Sequence, residues 1–223
     1  MKVTVFNGSP AGKASATHLI AASFLKGAAI AGAEIEHVYL KDYKILQCQG
    51  CFACWFKTPG RCVLADEMEH LLNLYRESDI ICFATPIYTW NMTALLKNFI
   101  DRLIPLKVPQ MMETNGHLDM KNQDSTPKKI VILSNSGFPG ENNFDVLRAS
   151  VACAEPILEI YRNCGKLLKS KNPDVLQKVN VWLESVEAAG QELVLQNNVS
   201  EEIKTNLQQP LMTIPEYMDY LGM

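Results

Sequence analysis

The sequence predicts an α/β domain: a doubly wound, five-stranded parallel sheet with helices on both faces and a C-terminal helical extension. Three observations predict it. Short apolar runs such as Ile80-Ile81-Cys82-Phe83-Ala84 carry no polar face, as strands covered on both sides require. Segments with apolar residues at helical spacing alternate with those runs. Strand–helix alternation imposes right-handed crossovers, which lay helices on both faces of one sheet.

In chain order, Lys2 to Phe6 is a short β-branched and aromatic strand closed by the turn cluster Asn7-Gly8-Ser9-Pro10. A helix from about Ala14 follows, with Ile20, Phe24, Ala28 and Ala31 inward and Gly32 as its stop. Ile35 to Leu40 is the second strand, and the cysteine-bearing stretch after it reads as loop. Asp66-Glu67-Met68-Glu69 has the form of a capping box, with Met68, Leu71, Leu72 and Tyr75 on the inner face of the helix it starts. The run at 80–84 is closed by Pro86, and Leu95, Leu96, Phe99, Ile100 and Leu103 mark the next helix. Residues 105–127 read as a long irregular loop. Lys129 to Ser134 is the fourth strand, Phe144 to Ala154 a helix and Ile157 to Tyr161 the fifth strand. A long helix covers 174–195, with Leu176, Val179, Leu183, Val186 and Leu193 inward. A short helix capped by Ser200 precedes a Pro-interrupted tail. Residues 1–197 are expected to form one domain and 198–223 a helical tail.

Composition narrows the partners. The 223 residues carry a formal charge of -3, without the basic excess that a nucleic-acid or anionic membrane surface uses. No apolar run approaches the about 20 residues that span a bilayer, and the first apolar run is too short for a signal peptide. The expectation is a cytoplasmic protein that binds neither nucleic acid nor membrane. In a reducing compartment the seven cysteines do not read as a disulfide framework. Cys82, Cys153 and Cys164 are expected to be small buried hydrophobes.

In a doubly wound sheet, ligands gather beyond the carboxyl ends of the strands. The loops at 8–17, 85–91 and 134–140 therefore carry the functional argument, and the cysteine loop, which follows the second strand, is expected to open at the same edge of the sheet. The first, Gly8 to Thr17, is rich in small and hydroxyl residues and leads into a helix N-terminus, a geometry that favours an anion. A plain strand-to-helix turn with a serine cap is the alternative. It is not a nucleoside-triphosphate loop, because three residues separate Gly8 from Gly12 and Ala14 follows Lys13. The glycine fingerprint for dinucleotides is absent too.

Gly8-Ser9-Pro10 with Ser15 and Thr17, then Pro86-Ile87-Tyr88, Leu96-Lys97 and Asp101-Arg102, resembles the NAD(P)H-dependent FMN reductase group of flavodoxin-like proteins over about 1–165. The resemblance implies bound FMN, reduction by NAD(P)H, an electron acceptor that the sequence does not identify, and a homo-oligomer, dimer or tetramer, that shares flavin sites. By position, Ser9, Ser15 and Thr17, in a loop with Ala11, Lys13 and Ala16, would hold the FMN phosphate. Pro86, Ile87, Tyr88, Thr89, Trp90 and Asn91 would line the isoalloxazine edge, and Ser136 and Gly137 would close the other side. Many relatives carry arginine where this chain has Ala11; Lys13 is the candidate substitute charge. Lys97 and Asp101, four apart, read as a structural ion pair. His18, His37, His70 and His117 form no pattern with carboxylate or serine. Flavin chemistry resides in the cofactor, so no catalytic acid or base is named.

Cys48, Cys51, Cys54 and Cys62 read Cys-x2-Cys-x2-Cys-x7-Cys, a spacing that lets four thiolates meet one cluster. Zinc could take the same sulfurs, although separated Cys-x2-Cys knuckles are more usual for it. Plain reduced thiols in a structural loop are the third alternative. The spacing resembles that of iron–sulfur flavoproteins, which implies a [4Fe–4S] cluster near FMN. Three functions follow: an FMN oxidoreductase fed by NAD(P)H, an iron–sulfur flavoprotein electron carrier, or a non-catalytic cysteine loop sensing redox state or metal.

Overall fold

The computed structural model describes residues 1–114, 116–124 and 127–222. The chain runs β1 (Lys2–Asn7), α1 (Ala16–Ile30), β2 (Glu34–Tyr39), α2 (Ala53–Phe56), α3 (Met68–Glu77), β3 (Ile80–Pro86) and α4 (Ala94–Asp101). It continues through β4 (Lys107–Thr114), β5 (His117–Asn122), β6 (Lys129–Asn135), α5 (Asp145–Val151), β7 (Leu158–Arg162), α6 (Pro173–Gln196), α7 (Glu201–Gln208) and α8 (Ile214–Leu221). The main sheet is five-stranded in the order β2-β1-β3-β6-β7, and every pairing in it is parallel. This is the flavodoxin-like arrangement, with its switch point between β1 and β3.

The apolar runs take the central places: in β3 every residue from Ile80 to Thr85 is buried. Alternate strand residues feed two cores. One gathers Val3, Val5, Cys82 and Leu133 with Phe24 of α1 and Trp182 and Val186 of α6. The other gathers Phe6, Ile81, Phe83 and Ile132 with Leu71 of α3 and Leu96 and Phe99 of α4. Residues from α7 and α8, Leu207 and Tyr217, lie in the first core. Ser200 caps α7 as expected, its hydroxyl accepting from the Ile203 amide. Arg162 ties α7 down from the end of β7, donating to the Leu207 and Gln209 carbonyls while its guanidinium covers the Trp182 ring at 4.3 Å.

Several sequence expectations change, beginning with two added helices: the cysteine-bearing stretch read as loop carries α2, and the Pro-interrupted tail carries α8. Residues 107–122 are not irregular: β4 and β5 pair antiparallel as a separate two-stranded ribbon, Met111 opposite Met120 and Glu113 opposite Leu118. The register shifts between Lys107 and Met111, where Pro109 has no amide to donate. Residues 115, 125 and 126 of that stretch, and the His117 side chain, lie outside the described residues. The capping box at 66–69 does not close: Asp66 accepts the Met68 amide at 3.1 Å, but Glu67 holds the cap position without a side-chain bond and the Asp66 carboxylate is also held in a buried ion pair. Leu176 is exposed rather than inward. Cys153 is exposed, whereas Cys82 and Cys164 are buried and burial pushes both thiols up, Cys164 to about 11.

Candidate functional site

The loops after β1, β3 and β6 converge at one end of the sheet. The Gly8 amide donates to the Ala84 carbonyl at 2.8 Å, holding the first loop against β3. Asn7 accepts the Ser9 amide at 2.9 Å, and a single 3-10 turn at Gly12–Ala14 carries the chain into α1. The helix begins two residues later than expected because Ser15 is its cap. The Ser15 hydroxyl accepts from the His18 amide at 3.0 Å and donates to the Gly12 carbonyl at 2.6 Å. Thr17 is buried and donates to Asn135 Oδ1 at 2.7 Å. Ser9 and Ser15 are buried, Ala16 is half-buried, and Ala11 and Lys13 stand exposed at the rim. The first amides of α1 have no acceptor within the helix, so the loop presents positive partial charge where it turns.

Gly8 cannot be larger: a Cβ there would meet the Leu96 Cβ at 2.6 Å and Thr93 Oγ1 at 2.9 Å. Thr93 explains the close approach. Its hydroxyl donates to the Gly8 carbonyl at 2.7 Å and caps α4, while its amide donates to Thr85 Oγ1 at 3.1 Å. The second loop is tied to the third by the Ile87 amide, which donates to the Asn135 carbonyl at 2.8 Å. Asn135 therefore touches both neighbouring loops. Tyr88 and Asn91 then exchange backbone hydrogen bonds at 2.9 and 3.1 Å, which makes 88–91 a tight turn. Its central residues, Thr89 (φ 48°) and Trp90 (φ 62°), are both left-handed. Asparagine and glycine suit such a turn; a β-branched residue and a tryptophan there are strained, and strain of this kind concentrates at functional sites. Tyr88 and Trp90 are exposed, Pro86, Ile87 and Asn91 half-buried. On the third loop, the Ser136 hydroxyl accepts from the Phe138 amide at 3.1 Å, and the Gly137 carbonyl accepts from the Tyr217 hydroxyl of α8 at 2.7 Å.

An aromatic and basic group flanks the first loop. His37 stacks on Tyr39 at 4.4 Å and on His18 at 5.3 Å, and Asn7 Nδ2 lies 3.2 Å from His37 Nε2. Burial, then the neighbouring His18 and Lys13, lower the His37 pKa to about 4. Lys13 sits 5.9 Å over the Tyr39 ring. The Lys41 stem crosses Gly12 so closely that a Cβ on Gly12 would stand 2.2 Å from Lys41 Cε, and its ammonium pairs with Asp42 at 2.8 Å. Lys41 thus joins Lys13 beside the loop that lacks arginine at Ala11. Neither Asn7, Thr93, Lys41 nor Asn135 was among the predicted site residues. Asn7 and Asn135, at the ends of two central strands, carried the signal that could have marked them.

The four predicted cysteine ligands lie elsewhere. Rather than opening beside the strand-end loops, residues 45–67 run along α4 to its far end. Asn98 donates to the Ile45 carbonyl, Arg102 to the Leu46 carbonyl, and Trp55 Nε1 to the Ile104 carbonyl. Cys48, Cys51, Cys54 and Cys62 line one cavity with Phe52, Arg102 and Pro105. Phe52 is left-handed at φ 52°. Burial and the adjacent Cys62, Cys51 and Cys48 push the Cys54 thiol up. Among the described residues, no three histidine, cysteine or acidic side chains already converge on one metal position. Asp66 fastens the loop: its carboxylate takes both Arg102 terminal nitrogens, at 2.8 and 3.1 Å, plus the Leu46 and Met68 amides. Burial would raise the Asp66 pKa, but these donors outweigh it and hold it low. Lys97 and Asp101 pair as expected, exposed on α4.

Comparison with known proteins gives a family match. Its profile, described as NADPH-dependent FMN reductase, matches residues 1–121. An iron–sulfur flavoprotein of Archaeoglobus fulgidus is 40% identical over 105 residues, 47% of this chain and 46% of that protein. A second iron–sulfur flavoprotein of that organism is 33% identical over 139 residues, 61% of this chain and 62% of its own length. The chain thus spans about half the length of the curated relatives it matches. Among solved structures, an FMN-dependent NADH-azoreductase from Bacillus anthracis in complex with FMN superposes with a TM-score of 0.59 at 17% identity, covering 86% of this chain and 99% of that one. The likeness at that identity concerns the fold.

Proposed function

The chain belongs to the NADPH-dependent FMN reductase family, and from that premise we propose that it holds FMN across the strand-end loops and passes electrons from NAD(P)H to a separate acceptor. The observation that carries the reading is the convergence of a hydroxyl-lined helix N-terminus and a strained aromatic turn on Asn135. The residues fit the group: the amides at 8–17 and the Ser9 hydroxyl suit a phosphate, the Ser15 and Thr17 hydroxyls would turn to it from the Gly12 carbonyl and Asn135, and Lys13 with the Asp42-paired Lys41 supplies positive charge. Bound FMN supplies hydride acceptance and release. The chain's part is to orient the ring along the 86–91 backbone, with Ser136 and Gly137 on the other side. Tyr88 and Trp90 exclude water from its edge.

A second reading, the iron–sulfur flavoprotein carrier, is favoured by one observation, the four cysteines on one cavity. Their donor set suits a [4Fe–4S] cluster, which would supply single-electron steps. A reducing cytoplasm would keep those thiols free. Exposed Met111, Met112 and Leu118 on the β4–β5 ribbon suit a contact between copies of a dimer or tetramer, a state that light scattering reads directly.

Two measurements test the reading. The purified protein should release FMN on denaturation, and the Ser9→Ala/Ser15→Ala/Thr17→Ala variant should bind it more weakly than the parent. Anaerobic mixing with NADH or NADPH should bleach the flavin. Bleaching by dithionite but by neither nucleotide would replace the reductase with the carrier.

A further inference from the structure

Two arginines have a buried Nε–H without a hydrogen-bond partner among the described residues: Arg102 and Arg162. At Arg162 the Trp182 ring face, 4.3 Å from the guanidinium, offsets the buried charge. Arg102 has no such ring. It is 1% exposed, immediately beyond the C-terminal end of α4, and both terminal nitrogens are engaged, one by Asp66 and the Leu46 carbonyl, the other by Asp66. That fork fixes the guanidinium plane, and with it the direction of the remaining N–H. Arg102 lines the same cavity as Cys48, Cys51, Cys54 and Cys62.

We propose that Arg102 is a positioning residue for the cysteine site: its Nε–H donates to the Cys62 sulfur once the four cysteines hold an iron–sulfur cluster. This rests on the cluster reading above. A buried donor left without an acceptor is rare in a folded protein, and a metal-bound thiolate is the acceptor this cavity would supply. The Cys62 sulfur already stands near enough to help hold the Arg102 charge against the cost of burial. Donation to a ligand sulfur stabilises the reduced, more negative cluster, so Arg102 raises its electron affinity. Lysine has no second donor at that position of the side chain and cannot serve both Asp66 and the sulfur in this geometry.

The test uses full-length protein purified anaerobically with nitrogen-15-labelled arginine. Iron analysis comes first, then electron–nuclear double resonance on the reduced cluster, then redox titration. Arg61, exposed and adjacent to Cys62, is removed as a competing source by R61Q. The expected result is an arginine nitrogen coupling that persists in R61Q, disappears in R102K, and is accompanied there by a shift of the cluster to lower potential with iron retained. Should R102K fail to fold, R61Q decides alone: a loaded cluster without arginine coupling overturns the proposal. R102K with full iron, unchanged potential and unchanged coupling overturns it equally. Wild-type protein without iron overturns the cluster reading itself and this inference with it, which distinguishes the two failures.

Discussion

The strand-end loops and the cysteine loop are held by opposite means. The first are stitched by short bonds close to the sheet: Gly8 to Ala84, Ile87 to Asn135, Thr93 to Gly8 and Thr17 to Asn135. The second, with little backbone pairing to the sheet, hangs from side chains: Arg102 on Asp66, Trp55 on Ile104 and Arg76 on Gly60. One site is thus built into the fold, and the other is suspended from it. A preformed cradle suits a ligand that binds reversibly; a suspended loop suits a group whose own bonds complete the structure.

Asp66→Ala attacks that contrast most directly. It leaves the Arg102 charge buried without its counter-ion, at a cost of about 3–5 kcal/mol. Urea unfolding should show that loss, and iron should be lost while FMN affinity stays near the parent's. Equal loss of FMN would mean the two regions are not independently held. Removing the exposed Lys97–Asp101 pair with Lys97→Ala is the control, expected to change stability by at most about 0.5 kcal/mol.

The next effect belongs to the rigid region. His37 titrates near 4 in the folded state against an ordinary 6.5. Between those values the unfolded chain holds a proton that the folded chain refuses, so stability falls as pH drops from 6.5 towards 4 and is level above 6.5. From pH 7 to pH 5 the loss is about 1–2 kcal/mol. Urea midpoints at the two pH values measure it, and His37→Gln should remove most of that slope. A slope unchanged in the variant would assign it to other groups.

A third change sharpens the comparison. Thr89→Asn with Trp90→Gly gives the 88–91 turn residues that tolerate its left-handed backbone. The pair should stabilise the fold by about 1–2 kcal/mol and weaken FMN, because the aromatic surface goes with the strain. Thermal unfolding and FMN titration read the two effects. Stabilisation with undiminished FMN affinity would show the strain to be incidental.

What was legible follows the range of each interaction. The central strands could be read because burial on both faces leaves a continuous apolar run, and Ser9, Ser15 and Thr17 could be picked out because they sit in one short loop. The β4–β5 ribbon was missed because its residues are largely polar and Pro109 interrupts the strand pattern. Asp66 looked like a local cap because its partner Arg102 lies 36 positions away. The left-handed Thr89 and Trp90 were invisible, since neither residue type announces that backbone. Lys41 reaches Gly12 only through the pairing of β2 with β1.

α4 joins the two regions, with Thr93 before its first residue locked to Gly8 and Arg102 after its last facing the cysteines. At about 1.5 Å and 100° per residue, the helix is a ruler about 13 Å long whose two marks must face in set directions. Inserting or deleting one residue within it would leave every side chain chemically intact, yet swing Arg102 about 100° away from both Asp66 and Cys62. The chain between Thr93 and Arg102 should therefore tolerate exchanges of residue type far better than changes of length. In lineages that keep both sites, that interval should be free of gaps.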